Sequence, residues 1–194
     1  MTSCAPSPLP LGFADLAALL PDSLFAIGYA SDQNFTGAPV PGYELPRAWL
    51  REEPANALVS AAASLRARGL RLIVYDAYRP LRATRHLATW AREHDPRLLS
   101  GFLSETSRHS KGLSVDLGLV SGDGVVLDMG GPWDSFDERA TTANASGAAL
   151  VRRMCLREAL MAAGFDDYQR EWWHFEWLGH ERFDFCDVPY GVVP

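Results

Sequence analysis

Cysteine is scarce in this 194-residue chain. Cys4, Cys155 and Cys186 are an odd number with no close spacing, which argues against a disulfide framework and leaves no thiolate pattern for a metal. Reduced, structural thiols are expected. Clusters of lysine and arginine are also missing and the formal charge is −6, so neither nucleic acid nor an anionic membrane finds the positive patch that it rewards. A small soluble substrate fits better. Met1 to Pro10 places no basic residue ahead of an apolar stretch, and the early run Leu16 to Leu20 is broken by Pro21. Neither a signal peptide nor a membrane span is read there, and the expected compartment is the cytoplasm. Internal repeats, low-complexity blocks and linkers are lacking too. One domain over 1–194 is expected, with its core at about 24–187.

The chain is 47% hydrophobic and 22% charged, enough to bury a sizeable core. Phe13, Leu16, Ala17 and Leu20 recur at helical spacing, so a short amphipathic helix ending at Pro21 is expected. Residues 27–43 hold Asn34-Phe-Thr-Gly37 and Pro41-Gly42 and read as loop. A helix is expected from Pro54 to Arg68, stopped by Gly69, then a buried strand over Leu70 to Tyr75 that delivers Asp76-Ala-Tyr-Arg79-Pro80. Pro80 starts a further helix through Arg92. Leu113 to Val120 alternates with period two, placing Ser114, Asp116 and Gly118 on one face. Gly122-Asp-Gly124 predicts a hairpin turn into a strand over Val125 to Leu127. The spacing predicts a helix over Ala148 to Ala163 with Leu150, Met154, Leu160 and Met161 inward, and the aromatic run Trp172 to Trp177 predicts a last strand. This mixture implies an α+β domain with an antiparallel or mixed central sheet and flanking helices.

His109, Asp116 and His174 are the residues that combine into chemistry. A hydrolytic zinc site needs three fixed nitrogen or oxygen ligands, an open fourth position and a nearby base, and Glu171 is the candidate base. Asp116 lies between Val115 and Leu117, so if buried it must be paired or metal-bound. Glu171 and His174 are three apart, which on a regular strand sends them to opposite faces. Glu171 is therefore expected in the turn before the strand, or at a bulge. Arg79, at a strand end, suits stabilisation of an oxyanion. His86, His94 and His180 fall in solvated contexts and are left out of the site.

Ser107-Arg-His109-Ser-Lys-Gly112-Leu-Ser114-Val-Asp116 followed by Glu171-Trp-Trp-His174 resembles the SxHxxGxAxD and ExxH pattern of the zinc D,D-peptidases. The run from Tyr29 to Tyr43, Asp76-Ala-Tyr78-Arg79-Pro80, and the stretch from Met129 to Arg139 narrow the resemblance to the VanX-type D-alanyl-D-alanine dipeptidases. It covers about Tyr29 to Phe185. The resemblance implies the hedgehog/D,D-peptidase-like fold, one Zn2+ on His109, Asp116 and His174, Glu171 as base and acid, and Arg79 as transition-state stabiliser. It also implies a small closed site for free dipeptides, with Asp134 meeting the ammonium, Ser107 and Tyr43 orienting substrate and its carboxylate, and Tyr29 in the pocket.

Two departures stand out. Ser114 replaces the usual alanine, and Arg108 stands where these dipeptidases have a small polar residue, which is expected to alter pocket charge and dipeptide preference. The implied role is peptidoglycan precursor removal in glycopeptide resistance, or D-alanine recycling. Two other readings stay open: a D,D-carboxypeptidase or endopeptidase acting on cell-wall peptides, and a zinc-bearing binding module without catalysis.

Overall fold

The computed structural model describes residues 5–178 and 182–192; Cys4 and His180 lie outside them. In chain order the elements are β1 (Ala5–Pro6), β2 (Phe13–Asp15), α1 (Leu16–Leu19), β3 (Leu24–Phe25), β4 (Trp49–Arg51), α2 (Glu52–Arg66), β5 (Leu70–Asp76), α3 (Leu81–His94), β6 (Ser114–Ser121), α4 (Gly147–Ala162), β7 (Phe165–Asp167), β8 (His174–Trp177) and β9 (Gly191–Val192). The central sheet has five strands in the order β3-β5-β6-β8-β7. Only β3 and β5 run parallel, so the sheet is mixed, as the α+β reading expected.

Strand β6 is the axis of the sheet, buried along its length except at Ser121. Its odd-numbered residues Val115, Leu117 and Leu119 join the main core with Leu58 and Leu65 of α2, Leu72 and Val74 of β5, and Leu156 and Leu160 of α4. Each wholly buried leucine contributes about 1.5–3 kcal/mol through loss of apolar surface from water. The even face, with Ser114 and Asp116, is left for polar work. The packed core also takes in Phe13, Leu16 and Leu20 before residue 24 and Tyr190 after residue 187.

Three local expectations are corrected. Phe13–Asp15 is a strand paired antiparallel with β4, and only one helical turn follows, started by Asp15 accepting the amide of Ala17. Phe13, Leu16 and Leu20 are buried all the same, while Ala17 is exposed; the helical spacing marked three core residues but overstated the length of the helix. The strand expected over Val125 to Leu127 is reduced to one bridge, Val120 to Val126. Strand β8 pairs with Ser114 to Asp116 along that edge of β6, which leaves room for only a short return. On α4 the buried face carries Arg153, Leu156, Ala159 and Leu160, whereas Met161 is exposed and Leu150 and Met154 are half-buried.

Arg153 explains that rotation. Its guanidinium donates to the carbonyl oxygens of Met129 (2.6 Å), Arg139 (2.8 Å), Thr141 (2.7 Å) and Thr142 (3.3 Å), and it lies over the Trp172 ring. One side chain thus ties the loop between β6 and α4 to the helix. Arg153→Leu strands these buried acceptors and is expected to destabilise the fold by about 3 kcal/mol or more. A urea titration followed by tryptophan fluorescence measures the loss.

Candidate active site

The sheet lines up the polar residues. A bulge between Val74 and Asp76 shifts the register of β5, so that Asp76 sits opposite Asp116, which in turn sits opposite His174 on β8. An extra residue on one strand of an antiparallel pair re-aims the side chains beyond it. Three neighbouring strands thereby present Asp76, Asp116 and His174 in one row.

His109 reaches the row from a turn of 3-10 helix, Arg108–Lys111, before β6. Ser107 caps it, accepting the His109 amide at 3.2 Å. Gly112 ends it in the left-handed conformation at φ 72, where an added Cβ would collide with the Phe13 ring. The turn is anchored from outside as well: the Arg79 amide donates to the His109 carbonyl (3.1 Å), the Cys186 amide to the Ser110 carbonyl (2.7 Å), and the Thr84 and Ser110 hydroxyls are bonded at 2.8 Å.

Asp116 Oδ1 lies 3.3 Å from His109 Nε2 and 3.0 Å from His174 Nδ1, and the two ring nitrogens are 3.1 Å apart. Donors bonded at about 2.0–2.1 Å to one tetrahedral zinc stand roughly 3.3 Å from each other. The observed spacings are close to that, and the donor set is the nitrogen and oxygen chemistry of a catalytic site. Each ligand is also oriented from behind. His109 Nδ1 lies 2.6 Å from the Ala77 carbonyl, which can only accept, so the proton is on Nδ1 and Nε2 is free to ligate. The Trp133 indole donates to Asp116 Oδ2 at 3.2 Å, leaving Oδ1 for the shared centre.

Glu171 is placed as the spacing required. It lies in the turn before β8, its amide donating to Tyr168 and its carbonyl accepting from the His174 amide at 3.1 Å. Its Oε2 is 3.9 Å from His174 Nδ1. A cavity of about 50 Å³ opens beside these groups, walled by Tyr29, Arg79, Phe102, Leu103, Ser107, Asp134, Phe136 and Trp173 together with Glu171 and the triad. An outer groove of about 360 Å³ shares Phe102, Leu103, Ser107, Glu171 and His174 with it and extends past Arg108, Tyr168 and Glu176.

Arg79 is held by Asp76, whose Oδ2 accepts from Nε at 2.9 Å and from a terminal nitrogen at 2.8 Å, while its ring-face neighbour is Tyr29. Tyr29 donates to Asp134 at 2.6 Å, and Asp134 itself adopts a left-handed backbone at φ 56, a conformation aspartate tolerates better than most residues. Tyr43 is the exception among the expected residues. It is not in the cavity wall; wholly buried, it donates to Asp76 Oδ1 at 2.5 Å and so steadies Arg79's partner. Asp76, Trp133 and Glu176 went unassigned in the sequence. The bulge and the loop that bring Asp76 and Trp133 to the site leave no mark in residue spacing, whereas Glu176, two residues past His174 on the expected strand, could have been found from the period-two alternation.

The charges are strongly perturbed. Burial pushes the Glu171 carboxyl up to about 7, with Asp116 adding to the effect and His174 and Arg79 opposing it. Burial, reinforced by Asp116, also pushes Asp134 well above the usual carboxylate range. Asp116 goes the other way: burial disfavours its charge, but the imidazoles of His109 and His174 hold it well below that range. A carboxyl poised near neutrality beside an ionised one is the arrangement that acid–base chemistry uses.

A family model described as D-Ala-D-Ala dipeptidase, peptidase M15, matches residues 10–188. The chain is 35% identical over 164 residues to a D-alanyl-D-alanine dipeptidase of Escherichia coli (strain K12), covering 84% of this chain and 82% of that protein. It is 33% identical over 183 residues to one of Enterococcus faecalis (strain ATCC 700802 / V583), covering 85% and 91%. Among solved structures, an LD-carboxypeptidase, LdcB, superposes with a TM-score of 0.52 at 16% identity over 90% of this chain and 72% of that one, a likeness of fold. Among the described residues, no helix is long and apolar enough to cross a membrane.

Metal loading should be visibly coupled to protons. Burial opposes the charge on His174, yet hydrogen bonds to Asp116 and Glu176 raise its imidazole to about 10. At pH 7 the metal-free ring holds a proton that a metal must displace, so affinity should rise by up to about tenfold per pH unit below that value. Titrating zinc calorimetrically at pH 7 in buffers of different ionisation enthalpy is expected to show a total release of at least about one proton, the His174 proton together with any shed by Glu171.

Proposed function

The chain belongs to the peptidase M15 D-Ala-D-Ala dipeptidase family, and from that premise we propose that it is a zinc metallopeptidase hydrolysing free D-alanyl-D-alanine to two D-alanines. The observation that carries the reading is the small cavity with Asp134 and Arg79 in its wall beside the triad and Glu171. The Asp134 carboxyl group beside the triad suits the free ammonium of a dipeptide better than the blocked amine of a tethered cell-wall peptide.

His109, Asp116 and His174 would hold the zinc, which when bound polarises the scissile carbonyl and makes water nucleophilic near neutral pH. Glu171 takes the proton of the attacking water and returns it to the leaving amine. Its elevated position, about 7, makes both transfers accessible to one group. Arg79, immobilised by Asp76, presents a fixed positive charge to the oxyanion as it develops, and a preorganised donor in a dry site needs no reorganisation at that moment. Asp134 binds the substrate ammonium; the incoming positive charge restores ionisation to a carboxyl that burial otherwise discourages. Ser107 lies in the cavity wall and orients substrate. We place the reaction in the cytoplasm, where it would remove a peptidoglycan precursor, in glycopeptide resistance, or recycle D-alanine.

Glu171→Ala is expected to retain zinc and lose at least about a hundredfold in kcat, while His174→Ala loses the metal. For the parent enzyme, kcat/KM should fall as pH drops and Glu171 is protonated. The acid limb should lie at or below about pH 7, because a nearby cation favours the ionised carboxylate. Near-wild-type turnover by Glu171→Ala removes the assignment of the base.

A substrate panel decides the class. D-Ala-D-Ala should be cleaved, with L-Ala-L-Ala and N-acylated D-Ala-D-Ala resistant, and Asp134→Asn should raise KM for the free dipeptide by about tenfold or more. Release of D-alanine from the acylated substrate would make the enzyme a carboxypeptidase. Zinc binding without hydrolysis of any of the three would make it a binding module.

A further inference from the structure

Resting on the reading of His109, Asp116 and His174 as metal ligands, we propose that Glu176 and Arg108 form a relay that orients and charges the His174 ligand: Glu176 is its positioning residue and Arg108 clamps Glu176. Two of the three ligands are fixed from behind by neutral groups, His109 by the Ala77 carbonyl and Asp116 by the Trp133 indole. His174 differs. Its Nε2 lies 3.1 Å from Glu176 Oε1, so its outer partner is a carboxylate.

The strand geometry makes this contact local and specific. Residues 174 and 176 are two apart on β8 and share a face, so the carboxylate reaches the ring of the ligand on its own strand. With its Nε2 proton held by Glu176, the ring turns Nδ1 toward Asp116 Oδ1, where the donors converge and where a metal would take the Nδ1 lone pair. A carboxylate acceptor also lends the ring more negative character than a carbonyl does, strengthening its donation to a metal.

Glu176 divides its two oxygens. Oε1 serves His174 and Oε2 meets the Arg108 guanidinium at 2.5 Å. Both side chains are partly exposed at the wall of the outer groove, where a glutamate without a second partner would lose rotamer freedom to hold one hydrogen bond. A guanidinium at that distance restricts the carboxylate to the rotamer that meets His174 and offsets part of its charge. Arg108 is adjacent to His109, so the chain segment that supplies one ligand also fixes the outer partner of another. The sequence departure at position 108 then acts on the metal centre, and not only on the charge seen by substrate.

The experiment measures zinc affinity by competition with a chromophoric chelator, alongside the visible spectrum of the cobalt-substituted protein and steady-state kinetics. Parent, Glu176→Gln, Glu176→Ala, Arg108→Ala and the Glu176→Ala/Arg108→Ala double variant are compared, with circular dichroism and thermal melts of each reporting folding. Glu176→Ala is expected to weaken zinc binding by 10–100-fold and to shift the cobalt bands, with KM for D-Ala-D-Ala changed less than twofold at saturating metal. Glu176→Gln, which keeps an acceptor but not the charge, should fall between it and the parent. Arg108→Ala should weaken zinc by a smaller factor, and the double variant should be no weaker than Glu176→Ala alone, because the clamp has nothing left to hold. Unchanged affinity and spectrum in a folded Glu176→Gln, a raised KM with metal binding intact, or additive losses in the double variant would each overturn the relay. If the parent protein itself binds no zinc, the reading of the triad fails before the relay is reached.

Discussion

The burial of Asp76 is the constraint on which the site depends. Its two oxygens accept from Arg79 Nε and a terminal nitrogen, the Tyr43 hydroxyl and the Ala77 amide, and one lies 3.6 Å from His109 Nδ1. A carboxylate with no solvent contact is tolerable only when it is satisfied in this way. Satisfying it places a guanidinium in the cavity wall, a tyrosine beneath it and the first histidine beside it. The bulge that turns Asp76 toward Asp116 is therefore as consequential as any of the groups it gathers.

Around that pair, the cavity concentrates charge where water is scarce. Asp116 remains ionised because two imidazoles attend it, whereas Asp134 and Glu171 are pushed up by burial. The same low dielectric that discourages isolated carboxylates makes each interaction with an arriving ammonium or cation stronger than it would be in water. A cation arriving beside Glu171 or Asp134 would therefore favour release of their protons.

Much of this arrangement was legible in the chain. His109, Asp116 and His174 sit at spacings that the strands convert into convergence, and the odd interval between Glu171 and His174 required a turn that the structure supplies. The buried strands β5 and β6 and helices α2 to α4 followed from periodicity to within a few residues. Less was visible where partners distant in sequence decide the outcome. Phe13 pairs with Arg51 across the chain and becomes strand. Arg153 turns inward because a remote loop offers it carbonyls. Tyr43 serves Asp76 and not the cavity, and Trp133 reaches Asp116 only because the loop ahead of α4 folds back. Periodicity records which residues are buried, but it does not record against what.

The turn from Glu171 to His174 has a mechanical meaning. A backbone hydrogen bond closes it at 3.1 Å, with Trp172 and Trp173 buried at its tip. The carboxylate and the imidazole are thus carried by one closed loop of main chain, which fixes where both side chains begin. The candidate base and one candidate metal ligand therefore come from the same four consecutive residues, so any change to that turn reaches both at once.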